Sequence, residues 1–209
     1  MKNPVSRTAT LLAASLLAAA TTLAAPLSFD FKDPKGVNNA TFKLDAPLEA
    51  ISGTANGVSG TVSFDPANPA GLTGRIVVEA GSLHVPNPIM KEHMLGKNWL
   101  DAATHKDISF EAVKLGSVKT VGSETTAQVT GKFTLKGITK EITVPVKVTF
   151  LPDKLGARTN GQVQGDLLVL RSTFTIKRAD FGVNPKAPGE TVAEDIELTL
   201  SLAGAAPRK

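Results

Sequence analysis

From Ser28 onward the chain is dominated by a period of two, and that periodicity limits the fold more than any other feature. Gln128-Val129-Thr130-Gly131-Lys132-Phe133-Thr134-Leu135-Lys136 alternates polar with apolar or small residues over nine positions. Glu141-Ile142-Thr143-Val144-Pro145-Val146-Lys147-Val148-Thr149-Phe150 does so over ten, and Glu194-Asp195-Ile196-Glu197-Leu198-Thr199-Leu200-Ser201-Leu202 is as regular after its first residue. Successive side chains of a strand point to opposite faces, so each segment sets one face against an apolar interior and the other in water. Weaker strands fall at 27–32, 40–44, 57–65, 72–80, 107–115, 160–170 and 172–178, with breaks such as Asp65-Pro66 and Asn68-Pro69-Ala70-Gly71 between them. Eight to ten antiparallel strands predict an all-β domain. Alternation alone leaves barrel and sandwich open, and it leaves open whether the interior is packed solid.

Lys136-Gly137-Ile138-Thr139-Lys140 lies between two of the most regular strands and predicts an antiparallel hairpin, with Gly137 supplying a positive φ. Pro145 falls on the outward parity and has no N–H for a ladder, which places an edge, a bulge or a bend in the wall there. One segment reads as a helix. Asn87-Pro88 is a cap residue followed by the favoured first-turn proline, Ile89-Met90-Lys91-Glu92-His93-Met94-Leu95 continues it, and Gly96 is a natural stop. The short piece Asn98-Trp99-Leu100-Asp101-Ala102 follows.

Residues 1–24 have the layout of a secretory signal. Lys2 and Arg7 precede an apolar run, Leu11 to Ala20, broken only by Ser15, and small residues follow through Ala24 and Ala25. The run is shorter than the roughly 20 residues of a membrane span. The expectation is a signal peptide over 1–24, one mature domain over 25–209, export to the periplasm or elsewhere in the cell envelope, and no stable membrane span after cleavage. Without Lys2 and Arg7 the formal charge falls from 23 − 19 = +4 to 21 − 19 = +2. The lysines at 114, 119, 132, 136, 140 and 147 stand singly, as a solvated face does, which argues against nucleic acid as a partner. Cysteine is absent, which excludes disulfides, thiolate metal sites and cysteine nucleophiles. Tyrosine is absent and tryptophan occurs once, so a base-stacking surface is not expected either.

Catalytic motifs are hard to find. His84, His93 and His105 stand 9 and 12 residues apart, without the i, i+4 spacing of a helical zinc site. No serine sits in a Gly-x-Ser-x-Gly elbow. Gly53-Thr54-Ala55-Asn56-Gly57-Val58-Ser59-Gly60 lacks the Gly-Lys-Ser/Thr ending of a phosphate loop and reads as a turn between strands. Glu194-Asp195 sits at a strand start, where solvated acids are common. By elimination the chain reads as a binding module, with no metal site and no catalytic residue.

Four motifs recur in order over about residues 50–202: Ser52-Gly53-Thr54 through Phe64-Asp65-Pro66-Ala67-Asn68-Pro69; Glu92-His93-Met94-Leu95 with Trp99-Leu100-Asp101 and Ile108-Ser109-Phe110; the hairpin Val129 to Lys140; and Ile176-Lys177-Arg178-Ala179-Asp180-Phe181-Gly182. Together they resemble the YceI-like family, periplasmic proteins that bind polyisoprenoids. Trp99 stands where that family usually has phenylalanine, and Lys136 where histidine is frequent. The resemblance implies an extended lipocalin-like antiparallel β-barrel of about eight main strands, with one short helix near 88–96. Its lumen would sequester or carry an amphiphilic, isoprenoid-like lipid such as a polyprenyl or quinone tail. It implies no cofactor beyond that lipid and no covalent chemistry, and it allows a homodimer.

Inward parity then lines the lumen with Phe110, Phe133, Leu135, Val144, Val146, Phe174 and Ile176. Arg178 continues that parity, to meet either a ligand head group or an acid such as Asp180 that closes the barrel end. Met90, His93 and Met94 on the helix would plug or gate the barrel, and Trp99 would cover the mouth or anchor the helix. The alternative is an envelope protein with a packed core, acting on protein partners through a strand edge or a patch around Trp99.

Overall fold

The computed structural model describes residues 25–208, and the expected signal over 1–24 lies outside them. Eleven strands follow one another: β1 (Leu27–Asp30), β2 (Asn39–Asp45), β3 (Ala50–Ala55), β4 (Val58–Phe64), β5 (Thr73–Glu79), β6 (Leu83–His84), β7 (Asp107–Val121), β8 (Glu124–Leu135), β9 (Ile138–Leu151), β10 (Gly165–Lys177) and β11 (Asp195–Pro207). Two helices accompany them, α1 (Pro88–Leu95) and the single turn α2 (Leu155–Arg158). All strands belong to one antiparallel sheet in the order β1-β4-β5-β7-β8-β9-β10-β11, which closes where β11 pairs back with β1. The barrel, not the sandwich, is the fold.

β2, β3 and β6 extend from the other half of β11, whose residues Glu197–Ser201 pair with β2 while Ala205 pairs with Asp30 of β1. β1 and β2 are therefore two halves of one wall position, as are β4 and β3, and β5 and β6. The barrel has eight positions around its circumference, three filled by broken strands and five by unbroken strands of 12 to 15 residues. At about 3.3 Å per residue, a 13-residue strand spans about 40 Å, so the barrel is long for its width.

Side chains bridge two of the breaks. Asn38, 2% exposed, lies where β11 changes partner. Its amide accepts from Ala203 N at 2.8 Å and donates to Ala203 O at 3.1 Å, reproducing the two bonds a neighbouring peptide would make, and it also donates to Phe31 O at 2.9 Å. Beside it, the Asp33 carboxylate accepts from the backbone N–H of Lys35, Val37 and Asn38 and from Arg158 at 2.8 Å. Burial works to raise the Asp33 pKa, but these N–H donors and the Arg158 charge outweigh it and hold the carboxyl below its ordinary value. At the other break, Ser82 Oγ accepts from Gly57 N at 3.0 Å and donates to Glu79 O at 2.7 Å.

The third irregularity is a seam. β8 and β9 pair along their whole length, but β9 and β10 pair only through Lys147–Leu151 and Leu167–Arg171. Pro145, exposed and without an N–H, stands two residues beyond the end of that ladder, so of the edge, bulge or bend its sequence position allows, the structure has a local edge. Ser172 Oγ donates to Pro145 O at 2.6 Å, and beyond it the seam is held by side chains: Lys140 pairs with Asp180 at 2.6 Å, and Lys136 Nζ donates to Gly182 O at 2.8 Å.

Three sequence expectations need correction. Residues 160–170 and 172–178 are not two strands but parts of the single strand β10, and α2 precedes it. α2 packs on β10 and β11, so Leu167 and Leu168 are both buried and the alternation that would have marked the strand is lost there. The Gly53–Gly60 turn shrinks to Asn56-Gly57, with β3 and β4 on either side. The five-residue hairpin loop shrinks to Lys136-Gly137, with φ of 50° and 74°, the paired positive values of a two-residue turn that matches strand twist.

Two outcomes test these joints. Asn38→Leu should lower the unfolding free energy by about 2–4 kcal/mol in denaturant titration, since it strips Ala203 N–H and the buried Phe31 carbonyl of the partner Asn38 supplies, while Arg158 still holds Ala203 O. Because the Asp33 carboxyl is depressed in the folded protein, its stabilisation is present above about pH 4 and is lost as the pH falls through the folded value. The stability gap between wild type and Asp33→Asn should therefore be open near neutral pH and close as acidification carries the folded carboxyl through its lowered pKa.

Candidate functional site

Inside the barrel the side chains leave two adjoining chambers. The smaller, about 150 Å³, lies between the sheet faces and is lined almost wholly by apolar groups. The larger, about 420 Å³, opens beneath α1 at the end we term the mouth. Phe42, Leu83, Ile108, Phe133 and Leu198 border both, so the chambers form one lumen with an aromatic waist. A solid core, which alternation had left open, is not what this barrel contains.

Close packing ordinarily fills such an interior, and glycine explains why it does not here. Phe42 lies against Gly53 of the neighbouring strand, where a methyl group would overlap its ring and the His84 carbonyl. Phe110 lies in the same way over Gly131. Laid flat on the wall over positions without a Cβ, these rings occupy little of the lumen. Phe133 meets Phe174 and Phe181 edge-on, with centroids 6.1 and 5.3 Å apart, which fixes its ring at the waist.

The residues singled out from parity come together. Phe110, Val144, Val146 and Phe174 line the smaller chamber, Leu135, Ile176 and Arg178 the larger, and Phe133 both. From the α1 region, Met90, His93, Met94 and Trp99 line the larger chamber too. α1 begins as the sequence predicts: Asn87 Oδ1 accepts from Ile89 N at 2.9 Å and Met90 N at 3.1 Å. The helix has no fully buried residue and lies across the mouth as a cover, with Ile89 65% exposed at the rim. Phe42 and Leu198 at the waist were not singled out, although the parity of β11 would have found Leu198.

Arg178 does point inward and is 1% exposed, but its hydrogen bonds go to protein. Nε donates to Ala193 O at 3.2 Å, Nη1 to Val183 O at 3.0 Å and to Asn184 O, and Nη2 to Ala187 O and Glu194 Oε2, both at 3.3 Å. All five donors of the guanidinium are thereby committed. Arg178 ties the 183–194 loop to the barrel end, so of its two expected roles the structure shows the closing ion pair. Its partner is Glu194; Asp180 binds Lys140 instead. Glu194 and Asp195 are thus ion-paired rather than merely solvated, Asp195 with Lys177 at 2.9 Å.

The three histidines lie apart, His84 on β6, His93 on α1 and His105 beside the Gly137 turn. Among the described residues no three His, Cys, Asp or Glu side chains gather as metal ligands do, and no helix is long and apolar enough to cross a membrane.

Known proteins resemble this one in sequence and in architecture. A UPF0312 protein of Pseudomonas savastanoi pv. phaseolicola is 32% identical over 158 residues, covering 74% of this chain and 73% of its own. A UPF0312 protein of Yersinia pestis is 27% identical over 198 residues, covering 93% and 96%. Among solved structures, Burkholderia cenocepacia BcnA shares the fold with a TM-score of 0.65 at 22% identity, over 79% of this chain and 95% of its own. A polyisoprenoid binding domain from Saccharophagus degradans, implicated in plant cell wall breakdown, shares it with a TM-score of 0.63 at 12% identity, over 87% and 99%. The profile of the YceI-like domain matches residues 19–203, nearly the whole barrel, and the chain belongs to that family.

Proposed function

We propose that this protein binds an isoprenoid-like lipid, a polyprenyl or quinone tail, within its lumen, and sequesters or carries it in the cell envelope without covalent chemistry. The observation that carries this reading is the lumen itself: two joined apolar chambers of about 150 and 420 Å³, reached from one end. An apolar cavity near 150 Å³ stays dry and accepts a ring the size of benzene, and the larger chamber exceeds it severalfold. Burying each methylene is worth about 0.8 kcal/mol, so a slender branched hydrocarbon gains affinity with every unit that enters. Met90 and Met94 at the cover suit an irregular methyl-branched chain, since thioether side chains repack readily. Membership of the YceI-like family and the polyisoprenoid-binding domain among the structural neighbours support the same ligand class. The signal-like residues 1–24 support export to the periplasm, where such a lipid would need shielding from water.

Val144, 3% exposed on β9, faces the smaller chamber and is the place to test this. Val144→Trp should occupy much of that chamber at a folding cost of about 1–3 kcal/mol. Native mass spectrometry of wild type purified from its own envelope should show a stoichiometric lipid adduct, identified after organic extraction. Val144→Trp, folded by circular dichroism, should lose it. Wild type that arrives without lipid and binds neither added prenol nor added quinone, or a folded Val144→Trp that keeps a full-length chain, overturns the reading.

A further inference from the structure

The polar groups at the mouth say what kind of head group the lumen accepts. Three ionisable residues line the larger chamber, Glu49, His93 and Arg178, and none lines the smaller. Arg178 is the cation of the set, and all five of its N–H groups are donated to four carbonyls and Glu194. Glu49 sits exposed in the β2–β3 turn with no ion-pair partner among the described residues. Lys136, the lysine of the β8–β9 turn, is tied to Asn98 O and Gly182 O, and neither Lys91 on α1 nor Lys97 just after it lines the chamber. Asn87 spends its carbonyl on capping α1 and keeps its amide N–H groups as donors.

We infer that the mouth selects isoprenoid chains whose head group is uncharged and rejects those ending in phosphate or diphosphate. This rests on the lumen being the lipid site. A hydroxyl can donate to the Glu49 carboxylate, and a hydroxyl or a quinone carbonyl can accept from the N–H groups of Asn87 and His93. A diphosphate would give up its water for no free arginine or lysine in the chamber lining, beside a carboxylate of the same sign. Phosphate sites are built from arginine forks or lysines with donors to spare, and the one arginine here has none.

Trp99, the chain's single tryptophan, lines the larger chamber and reports on its occupancy. Lipid-stripped protein is titrated with geranylgeraniol and with geranylgeranyl diphosphate, read by Trp99 fluorescence and by native mass. The alcohol should bind at least tenfold more tightly than the diphosphate. Glu49→Lys, an exposed turn substitution, should narrow that gap at least tenfold, and more so at low ionic strength. Equal or tighter binding of the diphosphate by wild type, or an unmoved preference in Glu49→Lys, overturns the selectivity while leaving lipid binding in place. Failure of both ligands to bind by either readout overturns lipid binding itself, and the selectivity with it.

Discussion

Closure is the constraint on which this structure depends. A sheet that closes leaves no free edge, but every wall position must then match its backbone bonds on both sides. β11 has to serve β10 along all its length and two different strands opposite. The chain between β1 and β2 makes the change of partner, and the Asn38 amide stands in for the missing peptide at Ala203. Asp33 and Arg158 fix the loop that presents Asn38. Where a residue cannot supply the bond, as at Pro145, the ladder ends and a side chain, Ser172, takes the exposed carbonyl.

The open lumen follows from how the wall is built. Aromatic rings that would normally interdigitate at a core centre lie over glycines instead, so an interior with this many phenylalanines still holds free space. Polar side chains are kept out of that space by being used elsewhere. Arg178, inward by parity and deeply buried, gathers the carbonyls of the loop after the Ala179–Phe181 turn, and no buried side-chain nitrogen or oxygen among the described residues is left without a partner.

Much of this was legible in the sequence. β8, β9 and β11 show unbroken alternation because each has one face in the lumen and one in water, and their inward residues do line the chambers. The helix was marked by Asn87-Pro88, whose local chemistry depends on nothing distant. What could not be read is what depends on long-range contacts. β6 is two residues long and is a strand only because β3 lies beside it. The start of β10 lost its period where α2 covers its outer face. Arg178 was placed inward by parity, but its partner Glu194 lies 16 residues on, across a loop that no periodicity describes.

The seam between β9 and β10 gives the barrel an uneven stiffness. Towards the floor the ring is continuous, and any increase in girth would have to part a β-ladder. Towards the mouth, nine residues of β9 and six of β10 face one another without rungs, spanned by the Lys140–Asp180 ion pair and the Lys136 contacts. Exposed ion pairs of this kind hold by about 1 kcal/mol or less. The molecule is thus a split collar on a rigid cup: its girth is fixed at depth and yields at the rim, where a bulky end would have to pass.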